Sequence, residues 1–112
     1  MRADTVKGHL DLLLLAVVDR GGPVHGYALI AELAARSAGA LQLAEGTVYP
    51  ALHRLEAAGL LASEWGSSGG RRRRLYGLTA EGRQALARHR AEWRELAQAV
   101  EAVVLGPPVS PA

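Results

Sequence analysis

Four consecutive arginines, Arg71–Arg74, stand directly behind Gly69 and Gly70, with Trp65 upstream and Tyr76 downstream, in the stretch "WGSSGGRRRRLYGLT". No other stretch constrains the fold as tightly. Crowded like charges repel and are rarely buried unpaired, so the run belongs on a surface facing something negative. The flanking segments, Leu60–Trp65 and Arg72–Leu78, read as two short strands. The five residues "GSSGG" between them suit the flexible tip of a β-hairpin.

The charge of the chain is concentrated at that hairpin. Net charge is only +2 over 112 residues. Residues 1–45 carry four basic and five acidic groups, while residues 46–58 and 80–112 are each balanced. Residues 59–79 hold four arginines against Glu64 alone, so one short segment carries the positive excess. A directed basic patch of this kind attracts anionic partners.

Three helices are predicted upstream. The first runs from about Thr5 to Arg20 and is apolar nearly all round through "LDLLLLAVV", which predicts burial on two sides. "RGGP" at 20–23 stops it. The second lies near His25 to Arg36, with Tyr27, Ile30, Leu33 and Ala34 on one side. The third covers roughly Gly46 to Ala58, with Val48, Leu52 and Leu55 inward and Gly59 just past its end. If Thr47 is its N-cap, Pro50 falls in the first turn, where a missing N–H costs nothing. The alternative is a helix that starts earlier and is distorted at Pro50. Tyr27 and Tyr76 are assigned to the core.

After the hairpin, Thr79 caps a long helix with Glu81 in its first turn. The helix meets no breaker but Gly82 until Gly106-Pro107-Pro108, a length of about 26 residues or about 39 Å. Leu86, His89, Trp93, Leu96, Val100 and Val103 follow 3-4-3-4 spacing along it, the stripe of helix-on-helix packing. The expected organisation is a DNA-binding unit over residues 1–79, a dimerisation helix over 80–105 and a disordered tail over 106–112.

Three helices followed by a hairpin is the order of a winged helix-turn-helix, a mainly α fold with a small β-hairpin. In that fold the third helix is placed to enter the major groove, and the hairpin is the wing. Thr47, Tyr49, Pro50, His53 and Arg54 project from the outer side of the third helix, where they can reach phosphates or base edges. Three of them have a plainer reading: Thr47 as a cap, Tyr49 as a half-buried packing residue, Arg54 paired with Glu56 or solvent. Arg71, Arg72, Arg73 and Arg74 on the wing supply charge for phosphates or the minor groove.

The stretches "HGYALIAEL" at 25–33, "GTVYPALHRLEAAGLL" at 46–61 and "GGRRRRLYGLTAEG" at 69–82, with one long final helix containing Trp93, resemble the PadR-like family of transcriptional regulators. The resemblance covers residues 8 to about 105 and is closest to the short form with a single C-terminal helix. It departs at Ala44, where a polar cap is common. The resemblance implies a homodimeric repressor that binds double-stranded DNA at a pseudo-palindrome. It also implies dimerisation through the first and last helices. The residues then expected at the interface are Leu10, Leu13 and Leu14 from the first helix, with Leu86, Trp93, Leu96, Val100 and Val103 from the last. A planar hydrophobic effector between the subunits would meet Trp93, with His89 and Leu13 beside it. The plainer account of Trp93 is packing in a core built mainly from Ala and Leu.

Other chemistry finds little support. The chain has no cysteine, which removes disulfides, thiolate metal sites and cysteine catalysis. Histidines 9, 25, 53 and 89 have no spacing that puts two on one helical face, so no metal site is expected. No Ser–His–Asp pattern, phosphate loop or acid–base pair is recognisable, so neither catalysis nor a cofactor is expected. The longest apolar run, Leu12–Val18, is seven residues, against roughly twenty needed to span a bilayer. Asp4 and Asp11 interrupt any leader-like segment, so a cytoplasmic protein without membrane contact is expected. The competing class of function is a winged-helix protein–protein module whose basic wing docks on an acidic partner.

Overall fold

The computed structural model describes residues 6–107. A 3₁₀ turn, Lys7–His9, leads into α1, Leu10–Gly21. Helix α2 spans Gly26–Arg36 and α3 spans Glu45–Ala57. Strands β1, Leu61–Ser68, and β2, Arg71–Leu78, pair antiparallel, and α4 runs Ala80–Val104. The predicted order of three helices, hairpin and long helix is therefore present. The predicted helix start at Thr5 and the tail from residue 108 lie outside the described residues.

The hairpin is longer and tighter than predicted. Pairing runs from Leu61 opposite Leu78 out to Ser68 opposite Arg71, which makes Gly66, Ser67 and Ser68 strand rather than loop. Only Gly69 and Gly70 turn the chain, at φ 61° and 76°. A two-residue hairpin turn whose twist matches its strands needs positive φ at both central positions, and two glycines supply that without steric cost.

Helix α1 lies at the centre of the core. Its Leu14, Leu15, Val17 and Val18 are buried with Leu29 and Leu33 of α2, Val48, Leu52 and Leu55 of α3, and Leu61 of β1. Leu10, Leu12, Leu13 and Ala16 are only partly covered, so the second face of α1 stays half open within a protomer. Tyr76 is buried, as its assignment to the core required. Its backbone exchanges two hydrogen bonds with Val24, at 2.9 and 2.8 Å, so Val24 acts as a one-residue third strand. This bridge fastens the hairpin to the helical unit.

Helix α4 is attached mainly near its start. The Thr79 hydroxyl accepts from Gly82 N at 2.9 Å and donates to Gly59 O at 2.7 Å, capping α4 while tying it to the end of α3. Gly82, Ala85 and Leu86 are its buried residues. Further along, Asp19 of α1 faces Arg90 at 3.7 Å and the His9 ring meets Trp93 edge-on at 5.0 Å. Gly82 is a poor helix former, and its place has a packing reason: a Cβ there would overlap the Leu60 carbonyl oxygen. Gly82→Ala should lower stability by about 2 kcal/mol through overpacking, although alanine is the better helix former by about 1 kcal/mol. Denaturant unfolding of the variant checks this, and an equal or higher midpoint would contradict it.

Candidate nucleic-acid interface

Helix α3 buries Val48, Ala51, Leu52 and Leu55 and turns Pro50, His53 and Arg54 outward. Its start differs from the Thr47-cap reading. The N-cap is Ala44, in extended conformation, whose carbonyl accepts from Thr47 N at 3.0 Å and Val48 N at 3.1 Å. Alanine has no side-chain acceptor, so Glu45 in the first turn is left to complement the helix dipole. Thr47 is then half-buried in the first turn, and Pro50 lies inside the helix in the second. Its ring is exposed, and the Gly46 carbonyl lacks the usual donor four residues on.

Tyr49 is half-buried, and its ring covers the backbone of Gly26, where a Cβ would overlap it. Burial, then the nearby Glu45 carboxylate, raises its phenol above the ordinary tyrosine range. Tyr27 corrects the sequence reading: it is 53% exposed and not a core residue. Helical spacing with Ile30, Leu33 and Ala34 puts it inward, but Tyr49 covers Gly26 beside it and meets its ring edge-on at 6.2 Å. A hydrogen bond to Glu45, and then that carboxylate's charge, raises the Tyr27 phenol. Beside it, His25 caps α2, with Nδ1 accepting from Ala28 N at 3.2 Å. Burial, then the charge of Arg73, lowers the His25 pKa, which keeps the ring neutral and able to accept.

The four wing arginines have different surroundings. Arg73 folds back over the Tyr27 ring at 5.6 Å, and its buried Nε has no hydrogen-bond partner among the described residues. Arg74 donates to Ser63 Oγ at 2.8 Å and faces Glu56 of α3 at 3.6 Å. The Arg72 guanidinium carbon lies over the Trp65 ring, 5.1 Å from its centroid. Arg71, at the turn, is exposed. Among the described residues neither Arg71 nor Arg72 has an ion-pair partner.

Arg54 is engaged within the protomer. Its two terminal nitrogens donate to the two carboxylate oxygens of Asp11 on α1, at 3.1 and 2.6 Å. That hydrogen bond also holds its guanidinium more firmly protonated. The sequence reading weighed Glu56 as the partner, but Glu56 instead accepts from Ser63 and faces Arg74.

Two further readings are corrected. Leu14 and Leu86 are buried in the protomer's own core and offer no surface to a partner. His89 and Trp93 line one depression of about 180 Å³ with His9, Leu12 and Leu96, whereas Leu13 lines another with Val17, Leu33 and Leu41. Adjacent residues of α1 point about 100° apart, so Leu12 takes the place assigned to Leu13.

The geometry so described has known counterparts. The family model of the "Transcriptional regulator PadR-like family" matches residues 14–88, more than half the chain. The chain belongs to the PadR-like family of transcriptional regulators. It is 48% identical over 77 residues to the transcriptional regulator Rv3488 of Mycobacterium tuberculosis, covering 69% of each chain. Among solved structures it resembles a PadR family regulator from Eggerthella lenta, at 35% identity and TM-score 0.77, covering 90% of this chain and 86% of that one. A transcriptional regulator from Clostridium thermocellum superposes with TM-score 0.81 at 26% identity, covering 90% and 98%. The PadR-like winged helix is thus a DNA-binding regulatory fold here. Among the described residues no helix is long and apolar enough to cross a membrane, and no group of His, Asp or Glu is arranged to hold a metal ion.

Sequence reasoning did not place Tyr27 on this surface, nor pair Asp11 with Arg54 or Glu56 with Arg74. The pairing partners lie 43 and 18 residues away along the chain, and no local pattern announces them. Both terminal nitrogens of Arg54 are occupied by Asp11, an exposed pair that a guanine would have to displace. Arg54→Ala and Asp11→Asn should therefore leave the DNA sequences selected by the protein unchanged, with a coupling of about 0.5–1 kcal/mol between them in unfolding measurements. Loss of one base preference in Arg54→Ala alone would restore Arg54 as a base reader.

Proposed function

We propose that this PadR-like regulator is a homodimeric repressor that binds a pseudo-palindromic operator and releases it in response to a flat apolar effector. One observation carries the dimer: α4 presents an apolar stripe that its own protomer leaves open. Trp93 is 45% exposed, Val100 49% and Val103 85%, with Leu96 exposed between them. A helix of 25 residues is about 37 Å long, and only its first turns reach the core. The half-covered Leu12 of α1, which lines the depression beside Trp93, is the natural companion of that stripe. Burying these side chains in a partner would contribute about 25 cal/mol for each Å² of apolar surface removed from water.

In this reading a two-fold axis near α4 sets two copies of α3 against half-sites one or two turns apart. Thr47, Pro50 and His53 approach the groove, and the Tyr49 hydroxyl and the wing arginines meet phosphates. The effector reading rests on the depression between His9, Leu12, His89 and Trp93. At about 180 Å³ it is small for a drug-sized ligand, so a second copy would have to complete it. An effector acts only if it binds the DNA-competent and incompetent arrangements unequally. Sedimentation of a Trp93→Glu, Val100→Glu double variant should give monomer with full helical content, and its affinity for a two-half-site duplex should fall to that of a single half-site. A persistent dimer would place the interface elsewhere.

A further inference from the structure

Trp65 fills no part of the core; it stands 56% exposed on β1. The register places Arg74 directly across from it and Arg72 diagonally across, on the same face of the hairpin. Both guanidinium carbons lie over the indole, at 5.1 Å for Arg72 and 5.4 Å for Arg74. Both lie within the roughly 6 Å over which a guanidinium is attracted to an aromatic face. Arg74 is also held from the helix side. Its Nε donates to Ser63 Oγ, and that hydroxyl donates to Glu56 Oε2 at 2.6 Å. A continuous ladder therefore runs outward from α3 through Glu56, Ser63, Arg74 and Trp65 to Arg72.

The last member of this ladder differs from the one before it. Arg74 has a carboxylate and a hydroxyl, whereas Arg72 has only the indole face among the described residues. A guanidinium stacked on a ring keeps its N–H edges free for a bidentate phosphate. Ordering a free arginine costs side-chain entropy, and an arginine already laid on a rigid ring has met part of that cost before DNA arrives. We propose that Trp65 is a positioning residue for DNA binding, holding Arg72 at a fixed offset from α3 so that its free edge meets a backbone phosphate. The proposal rests on the reading of the wing as a phosphate-binding element.

The test uses Trp65→Ala, Trp65→Phe, Arg72→Ala and the Trp65→Ala, Arg72→Ala double variant, each titrated with a duplex that the purified protein selects from random DNA. Trp65→Ala should bind about fivefold more weakly per half-site, with an unfolding midpoint equal to the parent's. Trp65→Phe should recover most of the loss, and the double variant should bind no more weakly than Arg72→Ala alone. Parent-like binding by Trp65→Ala beside weak binding by Arg72→Ala overturns the inference and leaves the wing reading intact. Additive losses in the double variant also overturn it, because Trp65 would then touch DNA itself. Parent-like binding by Arg72→Ala would overturn the wing reading, and the inference with it.

Discussion

The two backbone hydrogen bonds between Val24 and Tyr76 are the constraint on which the DNA-binding surface depends. An isolated two-stranded hairpin is marginal in water, and this one carries four adjacent positive charges. The bridge gives β2 a neighbour on its open edge, and the buried Tyr76 ring anchors the same residue in the core. Everything further out on the wing is positioned from that point. Three residues along β2, Arg73 reaches the Tyr27 ring; two residues along, Arg74 reaches Glu56.

Charge on this surface is more divided than the sequence suggests. Arg54 is neutralised by Asp11 and Arg74 is shared with Glu56, so both serve to fix α3. One tie binds α3 to α1 and the other binds it to the wing. Exposed ion pairs contribute little to stability, about 0–1 kcal/mol each. Their value is geometric: α3 cannot shift relative to the wing or α1 without breaking a tie. Arg71 and Arg72 are left as the outward cations of the hairpin. Asp11 lies between His9 and Leu12, which line the depression beside Trp93, so that depression and the tie to α3 share one short stretch of chain.

Element order and the main core faces were legible in the sequence because they rest on periodicity and on breakers. The stretch "RGGP", the Thr79 cap and the inward Val48, Leu52 and Leu55 are local signals, and each appears where it was expected. The helix start at Ala44 was less legible, since no side chain marks it. The wing turn was misjudged because serine and glycine fit a loop or a strand equally well until the partner strand fixes the register. Tyr27 and Tyr49 compete for the same inward space, and only three-dimensional packing decides which is covered. The pairing of Arg54 with Asp11 depends on how α1 crosses α3. It leaves no trace in spacing.

The central claim is that the outward wing arginines bind DNA phosphates while the rest of the charge holds the surface in shape. Its most direct test is the dependence of log K on log salt for the parent and for an Arg71→Ala, Arg72→Ala variant on the same selected duplex. If each wing of a dimer loses two phosphate contacts, the magnitude of the slope should fall by about 3.6. A slope unchanged from the parent's would contradict the account and return the wing to a structural or protein-binding role.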